Sequence, residues 1–192
     1  MKIRLAIFLS GSGSNARNIC DYFSNNEQIE VSLLLSNKKE SGTKNIAEEN
    51  NLHYIIFDKQ LFYNSLEMQD ILNAHKIDFI ILAGFLWLFP NYLLQSFKDR
   101  VINIHPALLP KYGGKGMHGM HVHQAVFENH EKESGITIHL CNEKYDDGKI
   151  LFQASVTLTD NDTPTTISQK VLKLEHQFFP KVIEIYILEY KK

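Results

Sequence analysis

Cysteine is scarce. Only Cys20 and Cys141 occur in 192 residues, far apart and in no Cys-x-x-Cys pair. No disulfide framework organises such a chain, and a reducing, cytoplasmic setting is the expectation. Long hydrophobic runs are also missing. Ile3–Leu9 is too short to span a bilayer, and it flows into a Gly/Ser turn instead of a signal-peptide cleavage site. A net charge of −2 leaves no broad basic surface for nucleic acid. No repeat, low-complexity tract or Pro/Ser-rich linker marks a domain boundary. What is present is ordinary for a globular protein, 44% hydrophobic and 22% charged. That is enough chain for one large domain with a sizeable core.

Residues 3–9 read as a buried strand ending at a glycine turn, followed by a helix to about Ser24. Val31–Leu35, His53–Phe57 and Asp78–Ala83 read as further strands. Helical stretches lie between them at 43–51 and 61–75, the second on the spacing of Leu61, Leu66, Met68, Ile71 and Leu72. Buried strands alternating with helices predict a doubly wound, mostly parallel sheet. After a short helix at 91–96 and a fifth strand at 101–106, the pattern changes. Residues 135–141 alternate with period two, placing Ile136, Ile138 and Leu140 on a packed face and Thr137, His139 and Cys141 on the other. With the strand 149–158 this predicts an antiparallel C-terminal portion. Asp162 or Thr163 caps a long last helix with Pro164 in its first turn.

Three polar features stand at loop ends. Ser10-Gly11-Ser12-Gly13-Ser14-Asn15 lies between a strand and a helix, where backbone N–H groups can face an anion. It lacks the third glycine of the dinucleotide fingerprint, since position 16 is Ala, and it lacks the P-loop lysine. A phosphate monoester therefore fits better than a dinucleotide or triphosphate. Taken alone, the loop reads equally well as a tight turn without a ligand. In Val101-Ile102-Asn103-Ile104-His105-Pro106 the strand alternation points Asn103 and His105 the same way, at the strand end where open α/β sheets bind ligands, although taken alone the pair reads better as polar residues closing a buried strand. Asp146 or Asp147 supplies a carboxylate. Amide, imidazole and carboxylate together suit acyl transfer without a covalent nucleophile. No Gly-x-Ser-x-Gly elbow is present. Gly84-Phe85-Leu86-Trp87-Leu88-Phe89-Pro90 is dense in large apolar side chains. Trp87 and Phe89 singly read as core, whereas the backbone of 86–88 is placed to meet a flat heteroaromatic ligand. His118, His121 and His123 cluster, but no cysteine or nearby acid completes a known spacing, so no metal is expected.

These motifs, with Leu82-Ala83-Gly84-Phe85, Asn103-Ile104-His105-Pro106-Ala107-Leu108-Leu109-Pro110, Asp146-x-Gly148 and Glu175-His176 before Pro180, occur in one order across nearly the whole chain. In this the chain resembles the phosphoribosylglycinamide formyltransferases, folate-dependent enzymes of purine synthesis. The resemblance implies a Rossmann-like formyltransferase domain over 1–192, with a phosphate-binding half at about 1–100 and a catalytic and folate-binding half at about 101–192. It implies formyl transfer from 10-formyltetrahydrofolate, as cosubstrate and without metal, to the amine of glycinamide ribonucleotide. Asn103, His105 and Asp146 would be catalytic and His139 supporting. Gly13, Ser14 and Asn15 would bind the substrate phosphate, with Lys173 and Glu175 nearby. Leu86, Trp87, Leu88, Asn103, Asn142, Glu143, Lys144, Tyr145 and Asp146 would line the folate pocket. A monomer or homodimer acting on small molecules, without nucleic acid or membrane, is implied. The same trio also serves formyltetrahydrofolate hydrolases and formyltransferases for other amines. The chain departs from relatives at Trp87, where many carry a basic residue, near Gln60-Leu61, which has no basic match, and in a longer 113–119 loop.

Overall fold

Short apolar runs bounded by turn residues bury both faces when they line up side by side, and that is how the first hundred residues pack. The computed structural model describes residues 2–64 and 66–191. The chain divides into two compact units, Met1–Ile102 and Asn103–Lys192. No change of composition marks that division.

The first unit holds β1 (Ile3–Leu9), α1 (Ser14–Phe23), β2 (Ile29–Ser36), α2 (Thr43–Asn50), β3 (His53–Ile56), α3 (Lys59–Tyr63), α4 (Glu67–Ala74), β4 (Phe79–Leu82) and α5 (Asn91–Ser96). Its strands run in the order β3-β2-β1-β4. All three pairings are parallel, with Ile7 opposite Leu34 on one side and Ile81 on the other. Phe8 of β1 is fully buried, with Phe57, Phe62, Phe85 and Phe89 at centroid distances of 5.5–6.1 Å. Each such ring contributes roughly 1.5–3 kcal/mol on leaving water. The helical stretch read over 61–75 is instead two helices. The Asp58 carboxylate accepts from Leu61 N–H and starts α3 early, and Asn64 ends it. Position 65 lies outside the described residues.

The second unit takes up β5 (Val101–His105), which begins just before the division. It continues with α6 (Met120–Glu128), β6 (Glu133–Leu140), β7 (Ile150–Thr157) and α7 (Pro164–Tyr190). Here the order is β5-β6-β7, and β6 and β7 pair antiparallel with Thr137 opposite Gln153. The expected alternation of β6 between a packed and an open face does not hold, because both faces are buried. Thr137 and His139, on the polar face, are enclosed because hydrogen bonds satisfy them. Thr163 and Thr166 form a reciprocal capping box that starts α7. Ile167, Val171, Phe179, Ile183 and Ile187 recur every four residues as its buried row. Glu175 stands in the same row. The architecture is thus α/β, mostly parallel, with an antiparallel closing pair and a long C-terminal helix. Among the described residues no helix is long and apolar enough to cross a membrane.

Candidate active site

In the first unit, the glycine-rich loop is fixed by its own backbone. Gly13 is the N-cap of α1 at φ 81°, a left-handed conformation open to glycine. A side chain there would also meet Ile46 Cδ1 at 2.5 Å and Leu9 Cδ1 at 2.8 Å. The Gly11 carbonyl accepts from Gly42 N–H at 3.0 Å. The buried Ser10 hydroxyl donates to Asn37 Oδ1 (2.7 Å) and accepts from Leu86 N–H (3.1 Å). Tyr63 donates its hydroxyl to the Leu88 carbonyl at 2.8 Å. Part of the 86–88 backbone read as ligand-facing is therefore engaged by the protein, which fixes its course. Leu86, Trp87 and Leu88 are half-buried. The Lys59 ammonium lies 5.7 Å from the Trp87 ring centroid, a cation–π distance. A positive charge thus stands beside the Trp87 ring.

In the second unit, the end of β5 brings four predicted side chains together. Asn103 Nδ2 donates to His139 Nε2 at 3.0 Å, and His139 Nδ1 donates to the Leu140 carbonyl at 2.9 Å. These two bonds assign His139 the Nδ1–H tautomer. His105 Nε2 donates to the Tyr112 carbonyl at 2.7 Å, and its Nδ1 lies 3.4 Å from Asp146 Oδ2. Asp146 Oδ1 is 3.7 Å from His139 Nε2, and Asp146 Oδ2 accepts from Gly114 N–H at 2.9 Å. A carbonyl can only accept, so Nε2 carries a proton in every state of His105. A second proton, on Nδ1, then turns the approach to Asp146 from lone-pair repulsion into a charge-assisted bond.

Burial pushes His105 down; the Asp146 carboxylate and the Tyr112 carbonyl pull it up, His139 pushes it down, and the net lies below the ordinary histidine value. Burial likewise raises Asp146. The neighbouring His139 ring, the His105 charge and the Gly114 N–H together outweigh it and hold the carboxyl below its usual range. A buried imidazole that is neutral at rest, beside an ionised carboxylate, is poised to take up or relay a proton as charge develops nearby. Neither cysteine competes as a nucleophile. Burial pushes Cys20 up to about 12, and burial followed by Asp146 pushes Cys141 higher still.

Asp146 carries the carboxylate that reaches His105. Asp147 is exposed and meets Asn142 and Lys144. Asn142 closes an Asx turn onto Lys144 N–H, and Glu143, Lys144 and Tyr145 are exposed. On α7, Glu175 is buried and Lys173 exposed. Two residues apart on a helix is roughly 200° around its axis, so they do not share a face. Sequence reasoning missed the contribution of 111–114, since what that segment offers is a backbone carbonyl and a backbone N–H, which no side-chain motif reports. Gly113 was the available signal: a Cβ there would lie 2.5 Å from Leu109 Cδ2 and 3.3 Å from Asp146 Cβ. Thr137 was missed too. Its buried hydroxyl donates to the Ala107 carbonyl (2.7 Å) and accepts from Leu109 N–H (3.0 Å) and Gln153 Nε2 (2.8 Å), pinning the chain just after His105. Among the described residues, no three His, Cys, Asp or Glu side chains are grouped to hold a metal ion.

Comparison with known proteins gives this network a setting. The chain is 42% identical over 186 residues to the chloroplastic phosphoribosylglycinamide formyltransferase of Arabidopsis thaliana, covering 94% of this chain and 64% of that one. It therefore spans less than two thirds of that relative's length. It is 32% identical to the phosphoribosylglycinamide formyltransferase of Bacillus subtilis, covering 94% of this chain and 93% of that one. The crystal structure of the Bacillus halodurans phosphoribosylglycinamide formyltransferase superposes with a TM-score of 0.85 at 31% identity, over 96% of this chain and 94% of that one. A formyl transferase family model matches residues 3–183, so that nearly the whole chain, with the loop at 10–15 and the Asn103–His105–Asp146 network inside the match, belongs to the formyl transferase family.

Proposed function

We propose that this chain transfers the formyl group of 10-formyltetrahydrofolate to the amine of glycinamide ribonucleotide, a step of purine synthesis. The observation that carries the reading is the joined network at the end of β5, in which Asn103 and His105 are each fixed by a second group and aligned through His139 and Asp146. In the proposed reaction the amine nitrogen attacks the formyl carbon. The new C–N bond forms as the carbonyl π pair moves onto oxygen. Asn103 has two amide protons and uses one on His139, so the other serves the oxyanion. His105 takes the proton that the attacking amine releases, directly or through water, and Asp146 stabilises the resulting imidazolium. The bond to the folate nitrogen then breaks. Its electron pair receives that same proton back from His105, directly or through water, so the imidazole returns to neutral and the carbonyl is restored. No covalent enzyme intermediate is needed.

Gly13, Ser14 and Asn15 are assigned to the substrate phosphate, with Glu175 and, from the exposed face of the same helix, Lys173 as further ribonucleotide contacts. Leu86, Trp87 and Leu88, and separately Asn142, Glu143, Lys144 and Tyr145, are assigned to the folate. The relatives' names support formyl transfer with phosphoribosylglycinamide as the acceptor. The protein is assigned to the cytoplasm, as a monomer or homodimer. Purified protein should consume both substrates without added metal. Asn103→Ala and His105→Ala should each lower kcat by about 10²–10³ while ligand binding largely persists. Release of formate without an amine, or turnover on another amine in preference to glycinamide ribonucleotide, would refute the assignment.

A further inference from the structure

The Glu131 carboxylate stands outside the catalytic network, just beyond the end of α6, and it grips the segment on which that network leans. Its Oε1 accepts from the Lys111 ammonium and from the Tyr112 hydroxyl, both at 2.9 Å. Tyr112 therefore has two handles. Its hydroxyl is tied to Glu131, and its carbonyl accepts the His105 Nε2 proton. Two residues on, Gly114 N–H donates to Asp146 Oδ2. Tyr112 sits at φ 56°, a left-handed conformation unfavourable for a bulky side chain. Such a residue persists only where its surroundings over-determine it, at a cost of about 1–3 kcal/mol. The Lys111 side chain is largely exposed, so that ion pair contributes little. The tyrosine bond to an ionised acceptor is the stronger hold.

We propose that Glu131 is a positioning residue of the catalytic centre: by gripping Tyr112 and Lys111 it fixes the backbone that orients the His105 ring and the Asp146 carboxylate. The proposal rests on the formyl-transfer reading for its kinetic arm only. Displacement of a catalytic group by about an ångström is sufficient to cost up to about a hundredfold in rate.

The test compares Glu131→Ala, Glu131→Gln and Tyr112→Phe with the wild type, by steady-state kinetics across pH and by NMR titration of the His105 imidazole. The other charged or titratable groups facing His105 are Asp146, His139 and His123, and all three are intact in every variant. Glu131→Ala should lower kcat by about ten- to a hundredfold with both KM values within about twofold. Its His105 titration and the acid limb of its kcat profile should move together. Glu131→Gln, whose amide oxygen still accepts from Tyr112, should recover most of the loss, and Tyr112→Phe should reproduce part of it. A folded Glu131→Ala protein with unchanged kcat and an unmoved His105 titration overturns the proposal. Equal losses in the Ala and Gln variants with His105 unmoved also overturn it. If Glu131→Ala does not fold, Tyr112→Phe, which removes one oxygen, decides by the same two readouts. If the wild type transfers no formyl group, the functional reading fails while the His105 titration still decides the clamp.

Discussion

Acidification from pH 7 to pH 4 should cost this protein about 3 kcal/mol through one side chain, His123. The imidazole lies on α6 with only 4% of its surface exposed, and its Nδ1 is buried with no hydrogen-bond partner. Burial, with a smaller push from His105, lowers its pKa from 6.5 to about 4. Each pH unit between those values is worth about 1.4 kcal/mol, which gives the figure for the whole window. The sign follows from proton counting. Between pH 6.5 and about 4 the unfolded chain binds the proton and the folded chain does not, so unfolding gains as pH falls. The stabilisation is complete above pH 6.5 and lost as pH drops through about 4. Typical domains hold only about 5–15 kcal/mol in total, so the effect is a large share. Urea unfolding followed by circular dichroism at half-unit steps from about pH 7.5 to 3.5 measures it, on wild type and on His123→Leu. His105 contributes loss of the same sign, and Asp146 contributes further loss below 3.8. The difference between the two proteins isolates His123. The variant's curve should be flatter by about 3 kcal/mol across the window. Parallel curves would refute the reasoning.

Two further outcomes follow from the same network. Thr137→Val keeps shape and removes a hydroxyl with three hydrogen bonds, so it should destabilise by about 2–4 kcal/mol. Amide exchange at Leu109, whose N–H loses its acceptor, should accelerate more than at residues remote from the site. Gly148→Ala would drive a Cβ onto the Leu140 carbonyl. The loop carrying Asp146 must then shift, and kcat should fall at least about tenfold with circular dichroism unchanged. Wild-type turnover in this variant would show that the loop adjusts without moving the carboxylate.

Much of the candidate site was legible because its side chains end apolar runs. Asn103 and His105 interrupt a strand that is otherwise Val and Ile, and the alternation of β5 aligns them. The parallel and antiparallel halves were legible for a similar reason, since buried strands read as continuous apolar runs and residues 135–141 alternate before a short hairpin-like loop. Three things were not. The enclosure of both faces of β6 depends on polar groups satisfying one another across the fold, which local pattern does not encode. The hold of Tyr112 and Gly114 on His105 and Asp146 uses main-chain atoms common to every residue. The break between α3 and α4 contains no glycine or proline, and the Asp58 cap that starts α3 two residues early competes with an unbroken apolar spacing.

Trp87 is the sole tryptophan of the chain, and it packs against Phe57, Phe62, Tyr63 and Phe85 of the first unit. Its emission thus reports on the packing of Met1–Ile102. Far-ultraviolet ellipticity, by contrast, averages over the helices of both units, which hold nearly equal helical length. Following both signals in one urea titration compares the first unit with the whole chain in a single unlabelled sample. Superimposed curves mean one cooperative transition, and separated curves mean that Met1–Ile102 unfolds at a midpoint of its own.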